Sequence, residues 1–188
     1  MVDVYTQTEV DALLANVKEK SCAVSGIQPA SLSKNVGATW GKVFWQNLDF
    51  DTFPFFNTTV RCVVTNLTTR LPNGNFIIAD DGIYDFSAQI YVSPPQNSNA
   101  VISLYLGLFD LGTNGLGSTL LAAANEDVRG GMHPSISLQR SLNIVLPNGT
   151  PRYYAFQWYF LDGAGVINTL SLQSDSIYCF ASIEAENT

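Results

Sequence analysis

Charged side chains are scarce in this chain of 188 residues. They make up 13% of it, whereas hydrophobic residues make up 46%. So few charges leave a monomer little with which to cover its surface, and we expect part of the apolar excess to be buried between subunits. Nine Lys and Arg residues stand against sixteen Asp and Glu residues and form no cluster. Because nucleic-acid affinity depends on basic patches, we predict no nucleic-acid partner.

Histidine and cysteine are too few for most catalytic or metal-binding sites. The single histidine, His133, lies in the sequence RGGMHPS, whose glycines and proline predict a loop rather than a base held by a carboxylate. Three widely spaced cysteines form neither a zinc motif nor a disulfide framework, and we predict that Cys62 and Cys179 are small buried hydrophobes. We therefore expect no enzyme activity, no metal and no cofactor.

Two pairs of acidic residues leave a calcium site open as an alternative. Asp80-Asp81 and Asp49-x-Asp51 offer oxygen ligands that suit calcium, but neither pair continues into an EF-hand spacing. Acidic turn residues are the simpler interpretation of both pairs. The spacing of the other acidic residues does not indicate the pair of catalytic carboxylates that a glycosidase needs.

Long apolar runs are absent as well. The N-terminus has no basic region followed by an apolar one, so we predict no signal peptide. No run approaches the roughly 20 apolar residues that span a bilayer, so we predict no membrane insertion. These features are typical of a protein made in a cytosol.

The first twenty residues predict an amphipathic helix over Val2–Lys20. Thr6-Gln7-Thr8-Glu9 fits a capping box, in which a hydroxyl and a carboxylate satisfy the amides at the helix start. One apolar stripe follows at helical spacing: Val10, Leu13, Leu14 and Val17. A helix this short is marginal alone, so the stripe must dock. It packs either on its own domain or on sister copies or a larger assembly, and we favour assembly.

A change of composition predicts two parts. Small and polar residues over Ser21–Thr39 indicate a linker or extended arm, and strand signals begin at Trp40. We therefore predict an N-terminal helix and arm over residues 1–37 and a sheet domain over residues 38–188. Strong alternation over Gly82–Val92 predicts a strand with one buried face. A similar pattern on both sides of a PNG turn predicts a hairpin over Ser135–Leu161.

About eight to ten strands with Gly, Asn and Pro turns predict an all-β sandwich or jelly roll. Two strands, Arg152–Leu161 and Ser176–Glu184, carry apolar residues on both faces. A strand of a two-layer sandwich turns only one face to the core, so the second face needs another surface. We predict a subunit interface there.

The chain resembles the C1q/TNF-like jelly-roll family. The segment NFIIADDGIYDFSAQIYV is similar to the family's central signature through Phe76, Gly82, Tyr84 and Phe86, and SIYCFASIEA is similar to its closing strand. The resemblance implies two five-stranded sheets and a tight trimer with aromatic residues near the three-fold axis. The residues expected at that trimer interface are Tyr153, Phe156, Trp158, Tyr178 and Phe180.

A second resemblance lies at the N-terminus. YTQTEVDALLA, residues 5–15, is similar to the opening of bacteriophage tail-fibre and head-surface proteins. It implies a virion surface protein, made in the host cytoplasm. The leading hypothesis is a homotrimeric capsid decoration, cement or head-fibre protein, which binds the major capsid protein or other virion proteins. The attachment residues would be Val10, Leu13, Leu14 and Val17. The alternatives are a receptor-binding tail-fibre tip that recognises a host surface glycan and, less favoured, a hydrolase on a jelly-roll scaffold.

Overall fold

Antiparallel strands account for nearly all the regular structure of the computed structural model, which describes residues 6–8, 21–27, 33–51, 62–64, 72–93, 101–129, 135–175 and 178–186. The strands are β1 (Ser21–Ile27), β2 (Ser33–Asn35), β3 (Gly37–Lys42), β4 (Trp45–Asp51), β5 (Cys62–Val64), β6 (Pro72–Ile78), β7 (Gly82–Tyr91), β8 (Val101–Gly112), β9 (Thr119–Arg129), β10 (Ser135–Ile144), β11 (Arg152–Asp162), β12 (Thr169–Ser171) and β13 (Phe180–Ala185). No helix within the described residues is long and apolar enough to cross a membrane.

Two large sheets face each other. The first sheet has the strand order β10-β7-β13-β1-β4, and the second has the order β5-β6-β11-β8-β9, with β3 also paired to β11. Strands β2 and β12 form a separate pair. Because the chain passes repeatedly from one sheet to the other, the architecture is a jelly roll, which confirms the predicted fold class.

The alternation over Gly82–Val92 is confirmed in detail. Strand β7 buries four side chains on one face, namely Tyr84, Phe86, Ala88 and Ile90. It pairs with β10 on one side and β13 on the other, so Ile136 lies opposite Ile90 and Ala181 opposite Ala88. An apolar residue at every second position therefore lines one face of the first sheet, as the pleat of a strand requires.

The core fills the space between the inner faces of the two sheets. Its largest fully buried side chains include Trp45, Phe76, Phe86, Phe156 and Trp158. Phe86 of the first sheet contacts Tyr154 of the second, with ring centroids 5.3 Å apart. Full burial of one such side chain contributes about 1.5–3 kcal/mol, so this layer dominates the stability of the fold.

The predicted arm begins instead with a central strand. Strand β1 lies between β13 and β4, and its residues Cys22, Val24 and Ile27 are fully buried. The predicted boundary at residue 38 is therefore wrong, since the sheet domain already includes Ser21–Ile27. The small residues between the buried positions made this segment look like a linker.

The predicted hairpin over Ser135–Leu161 is also wrong. Strand β10 pairs with β7 in the first sheet, whereas β11 pairs with β8, β6 and β3 in the second. The turn itself is present, since Pro147–Gly149 forms one 3-10 turn in which Asn148 has φ 56°. It leads the chain across the sandwich, so strand alternation on both sides of a turn does not identify the pairing partner.

Most of the predicted N-terminal helix lies outside the described residues. Only residues 6–8 of that segment are described. The capping glutamate and the whole apolar stripe, Val10, Leu13, Leu14 and Val17, lie outside them. Their proposed role in attachment stays a prediction.

Candidate functional site

Three aromatic side chains form an exposed patch on the outer face of the first sheet. Tyr178 is 45% exposed and Phe180 is 39% exposed. The ring of Tyr178 packs against that of Tyr91 with centroids 5.0 Å apart and an interplanar angle of 31°. We call Tyr91, Tyr178 and Phe180 the outer patch. Contiguous exposed aromatic rings are typical of a surface that binds another molecule.

Alternation places these side chains on the outer face. Ala181 and Ile183 of β13 point into the core, so Phe180 points away from it. Phe180 lies opposite Gln89 of β7, whose carboxamide Nε2 donates a hydrogen bond to the Tyr178 carbonyl over 3.4 Å. The patch is thus built where two adjacent strands of the first sheet meet, at the last residue of β7 and the first of β13.

The thiol of Cys179 fixes the segment that carries Tyr178. Its Sγ donates to the Gln173 carbonyl over 3.2 Å and accepts a hydrogen bond from the Tyr91 N–H over 3.3 Å. The side chain is fully buried, which confirms the prediction for this cysteine, whereas the side chain of Cys62 lies outside the described set. Burial raises the pKa of Cys179 to about 11, so the thiol stays protonated at neutral pH and acts as a packing group.

The five predicted interface residues do not lie together. Tyr178 and Phe180 belong to the outer patch, whereas Tyr153 lies half-buried on the outer face of the second sheet. Phe156 and Trp158 point into the core and are 0% and 1% exposed. These two residues have no surface to offer a neighbouring subunit, so their assignment to an interface is corrected. Tyr91 was not among the predicted interface residues, although it occupies an outward-facing position of the alternating Gly82–Val92 segment.

The second apolar face of β11 is covered by this chain itself. Ala155 is fully buried on that face, packed with Phe109 and Leu111 of β8 and with Trp40 of β3. The ring of Trp40 meets Phe109 at 5.0 Å and Tyr159 at 4.6 Å, in both cases edge to face. Much of the apolar excess that the sequence suggested for a subunit interface is therefore buried within one protomer by β3.

The acidic pair at Asp80-Asp81 joins two loops. The Asp81 carboxylate accepts a hydrogen bond from the Leu146 N–H over 2.6 Å, and the Tyr84 hydroxyl donates to the Asp80 carbonyl over 2.8 Å. Within the described part of the chain, no three His, Cys, Asp or Glu side chains converge as metal ligands. His133 lies outside that part, as does the side chain of Asp51.

Comparison with known proteins identifies the fold. No protein-family model matches the sequence, and no curated protein matches it. Murine APRIL crystallised at pH 8.0 is similar in structure, with a TM-score of 0.54 and 9% identity over 90% of this chain and 100% of that chain. Its structure at pH 5.0 gives a TM-score of 0.53 with the same identity and coverage.

Eiger TNF from S. frugiperda has a TM-score of 0.49 and 13% identity, over 89% of this chain and 92% of that chain. Identities this low show the fold alone, and the APRIL structures carry that conclusion. The strand order and the likeness to murine APRIL together give this chain the TNF-like jelly-roll fold.

Proposed function

We propose that this chain is a non-enzymatic structural protein of a bacteriophage virion surface, which forms a homotrimer and attaches to the capsid through its N-terminal segment. The outer patch carries the assembly part of the proposal. Exposed Tyr178 and Phe180, packed beside Tyr91, form an apolar surface that a second copy of the chain would cover. The TNF-like fold is compatible with this arrangement, because its first sheet presents a broad outer face.

The N-terminal sequence supports the virion part of the proposal. YTQTEVDALLA is similar to the opening of phage head-surface and tail-fibre proteins, and it contains most of an apolar stripe at helical spacing. A segment of this kind attached to a compact jelly roll suits a decoration protein, which needs one surface for the capsid and one for its sister subunits.

The attachment segment is tested by changing Leu13 and Leu14 together to Ser. Burial of each leucine contributes about 1.5–3 kcal/mol. Three segments per trimer multiply that effect, since the second and third contacts form at high effective concentration. We expect the double variant to remain trimeric but to be lost from purified virions, measured as copies per particle by quantitative mass spectrometry and by imaging at capsid positions.

The matched control changes Ala12 and Ala15 to Ser, two small residues that lie on the side of the predicted helix opposite the apolar stripe. This control should load at the wild-type level. Wild-type occupancy of the Leu13/Leu14 double variant would contradict the attachment proposal. Wild-type protein on the tail rather than the capsid would contradict the decoration role.

A further inference from the structure

A pocket of about 190 Å³ opens at one end of the sandwich, between the two sheets. Asp110 of β8 and Arg152 and Tyr154 of β11 lie on its second-sheet side, and Leu142 and Ile144 of β10 lie on its first-sheet side. The pocket is formed within one protomer, where the chain crosses from β10 to β11. It is separate from the outer patch, which lies on the outer face of the first sheet.

An ion pair forms the polar side of this pocket. The Nη2 atom of Arg152 lies 2.6 Å from Oδ2 of Asp110, and its Nε donates to Oδ1 over 3.3 Å. Oδ1 also accepts a hydrogen bond from the Gly112 N–H over 2.7 Å, so the carboxylate is held in place from a third direction. A guanidinium has five N–H donors, and this pairing uses two of them. The remaining donors are available to a ligand.

Tyr154 places a phenol beside the ion pair. The residue is only 3% exposed and its ring packs against Phe86. No described group of the chain forms a hydrogen bond with its hydroxyl, although it lines the pocket. Burial and the Asp110 carboxylate raise the pKa of Tyr154 to about 12 despite the opposing effect of Arg152, so the phenol is protonated at neutral pH. Because it lies at the open pocket, the hydroxyl can donate a hydrogen bond to a molecule bound there and accept one from it.

The chemistry of the pocket selects the class of ligand. Arg152 and Asp110 neutralise each other, so the pocket offers no net charge to attract an ion. An ionic ligand would also have to compete with the Arg152–Asp110 ion pair, whose nearest atoms are 2.6 Å apart. A hydroxyl both donates and accepts, and can therefore bridge a carboxylate, a guanidinium and a phenol without disrupting the pair. The walls formed by Leu121, Leu142 and Ile144 suit the C–H face of a small ring.

We propose that the pocket beside Tyr154 binds one neutral sugar ring. The volume accommodates a ring of that size, and the three polar groups match its neighbouring hydroxyls. The proposal goes beyond the virion role, because it assigns a ligand site within a protomer and does not depend on capsid attachment.

The test is a titration of the purified full-length protein with the methyl glycosides of glucose, galactose, mannose and N-acetylglucosamine, followed by amide chemical shifts. Few hydrogen bonds are available, so we expect a millimolar dissociation constant for at least one glycoside. The shifts should centre on residues 142–145 and 152–154. Tyr154→Phe keeps the ring and removes the hydroxyl, so it should weaken binding about three- to tenfold.

Tyr153→Phe is the matched control, since it removes the hydroxyl of the adjacent tyrosine on the opposite face of β11. It should bind the glycoside like the wild type. Absence of shifts with every glycoside overturns the proposal, as do shifts centred elsewhere. Binding of acetate in place of the glycosides would also overturn it, because the site would then recognise a carboxylate. The wild-type shift map decides the question even if Tyr154→Phe fails to fold, and none of these outcomes depends on virion incorporation.

Discussion

At the scale of single residues, the outer face of the second sheet depends on the absence of a side chain at Gly107. A Cβ atom at this position would lie 2.9 Å from Cη2 of Trp40, 2.9 Å from Cε2 of Phe109 and 3.0 Å from Cδ1 of Leu120. The indole of Trp40 therefore rests directly on the backbone of β8. This contact lets a residue of β3 seal the apolar outer face of β11.

Gly107→Ala should lower the free energy of unfolding by about 1–3 kcal/mol, because the added methyl group displaces rings that are already closely packed. Urea denaturation followed by tryptophan fluorescence measures this loss. Gly163→Ala is the control, since nothing lies within 4 Å of a Cβ there. The control should be neutral or stabilise by up to about 1 kcal/mol. Equal stability of the two variants would show that Trp40 does not depend on Gly107.

At the scale of secondary structure, the position of β1 decides where the domain begins. Its residues pair with β13 on one side, where Cys22 lies opposite Ile183, and with β4 on the other, where Cys22 lies opposite Asp51. Removal of this strand would leave two rows of backbone groups unpaired inside the first sheet. Such groups are costly to leave without partners.

A truncated chain that starts at Ala38 should therefore be insoluble or lack a cooperative thermal transition, whereas one that starts at Ser21 should retain both β-type circular dichroism and a cooperative transition. The two truncations differ by β1, β2 and the residues around them. Cooperative melting of the shorter chain would show that β1 is dispensable and would restore the boundary at residue 38.

Sequence patterns predict some elements of this fold far better than others. Strand β7 is predicted almost to the residue because large apolar side chains occupy every second position. Strand β1 is missed because Ala23, Ser25 and Gly26 separate its large apolar side chains, and small side chains carry little periodic signal. Pairing cannot be predicted in this way, because β10 and β11 have the same apolar patterns whether they join one sheet or two.

The candidate binding surfaces could likewise be predicted only in part from the sequence. The sequence identifies Tyr178 and Phe180 as exposed aromatic residues, because β13 carries apolar residues on both faces. It gives the wrong location for Phe156 and Trp158, because aromatic content does not reveal which face of β11 is covered. The cover comes from Trp40, more than a hundred positions earlier in the chain. The pocket beside Tyr154 has no local sequence signal, since side chains from four successive strands, β8 to β11, form it.

At the scale of the whole molecule, the outer faces of the two sheets differ in how their aromatic side chains are covered. The second sheet has Trp40 and Lys42 folded over its outer face, where the Lys42 ammonium donates to Asn75 over 2.6 Å. Desolvation lowers the pKa of Lys42, in keeping with its partial burial. The first sheet leaves the aromatic rings of Tyr178 and Phe180 exposed, whereas the exposed large apolar residues described on the second sheet, Val101 and Leu120, are aliphatic. The first sheet is therefore the face on which we expect subunits to meet.

Phe180→Asp should convert the proposed homotrimer into monomers. A charge buried at an apolar contact without a partner costs at least about 3 kcal/mol, which weakens association roughly a hundredfold or more. Light scattering coupled to size exclusion measures the mass at micromolar protein. The control is Leu116→Asp, which places the same charge at an apolar residue that is 85% exposed in the loop between β8 and β9. A wild-type monomer, or a Phe180→Asp variant that stays trimeric, would contradict the proposed interface.

The central place of β1 also sets the order of events during synthesis. Ser21 pairs with Glu184, so β1 has no partner on that side until β13, more than 150 residues later, has been made. Until residues 180–185 leave the ribosome, the first sheet has an open position between β1 and β7, with unpaired edges on both sides. Folding of the first sheet therefore cannot finish before β13 has left the ribosome, as expected for a topology dominated by distant pairings. A premature stop before β13 would release a chain whose exposed strand edges favour aggregation.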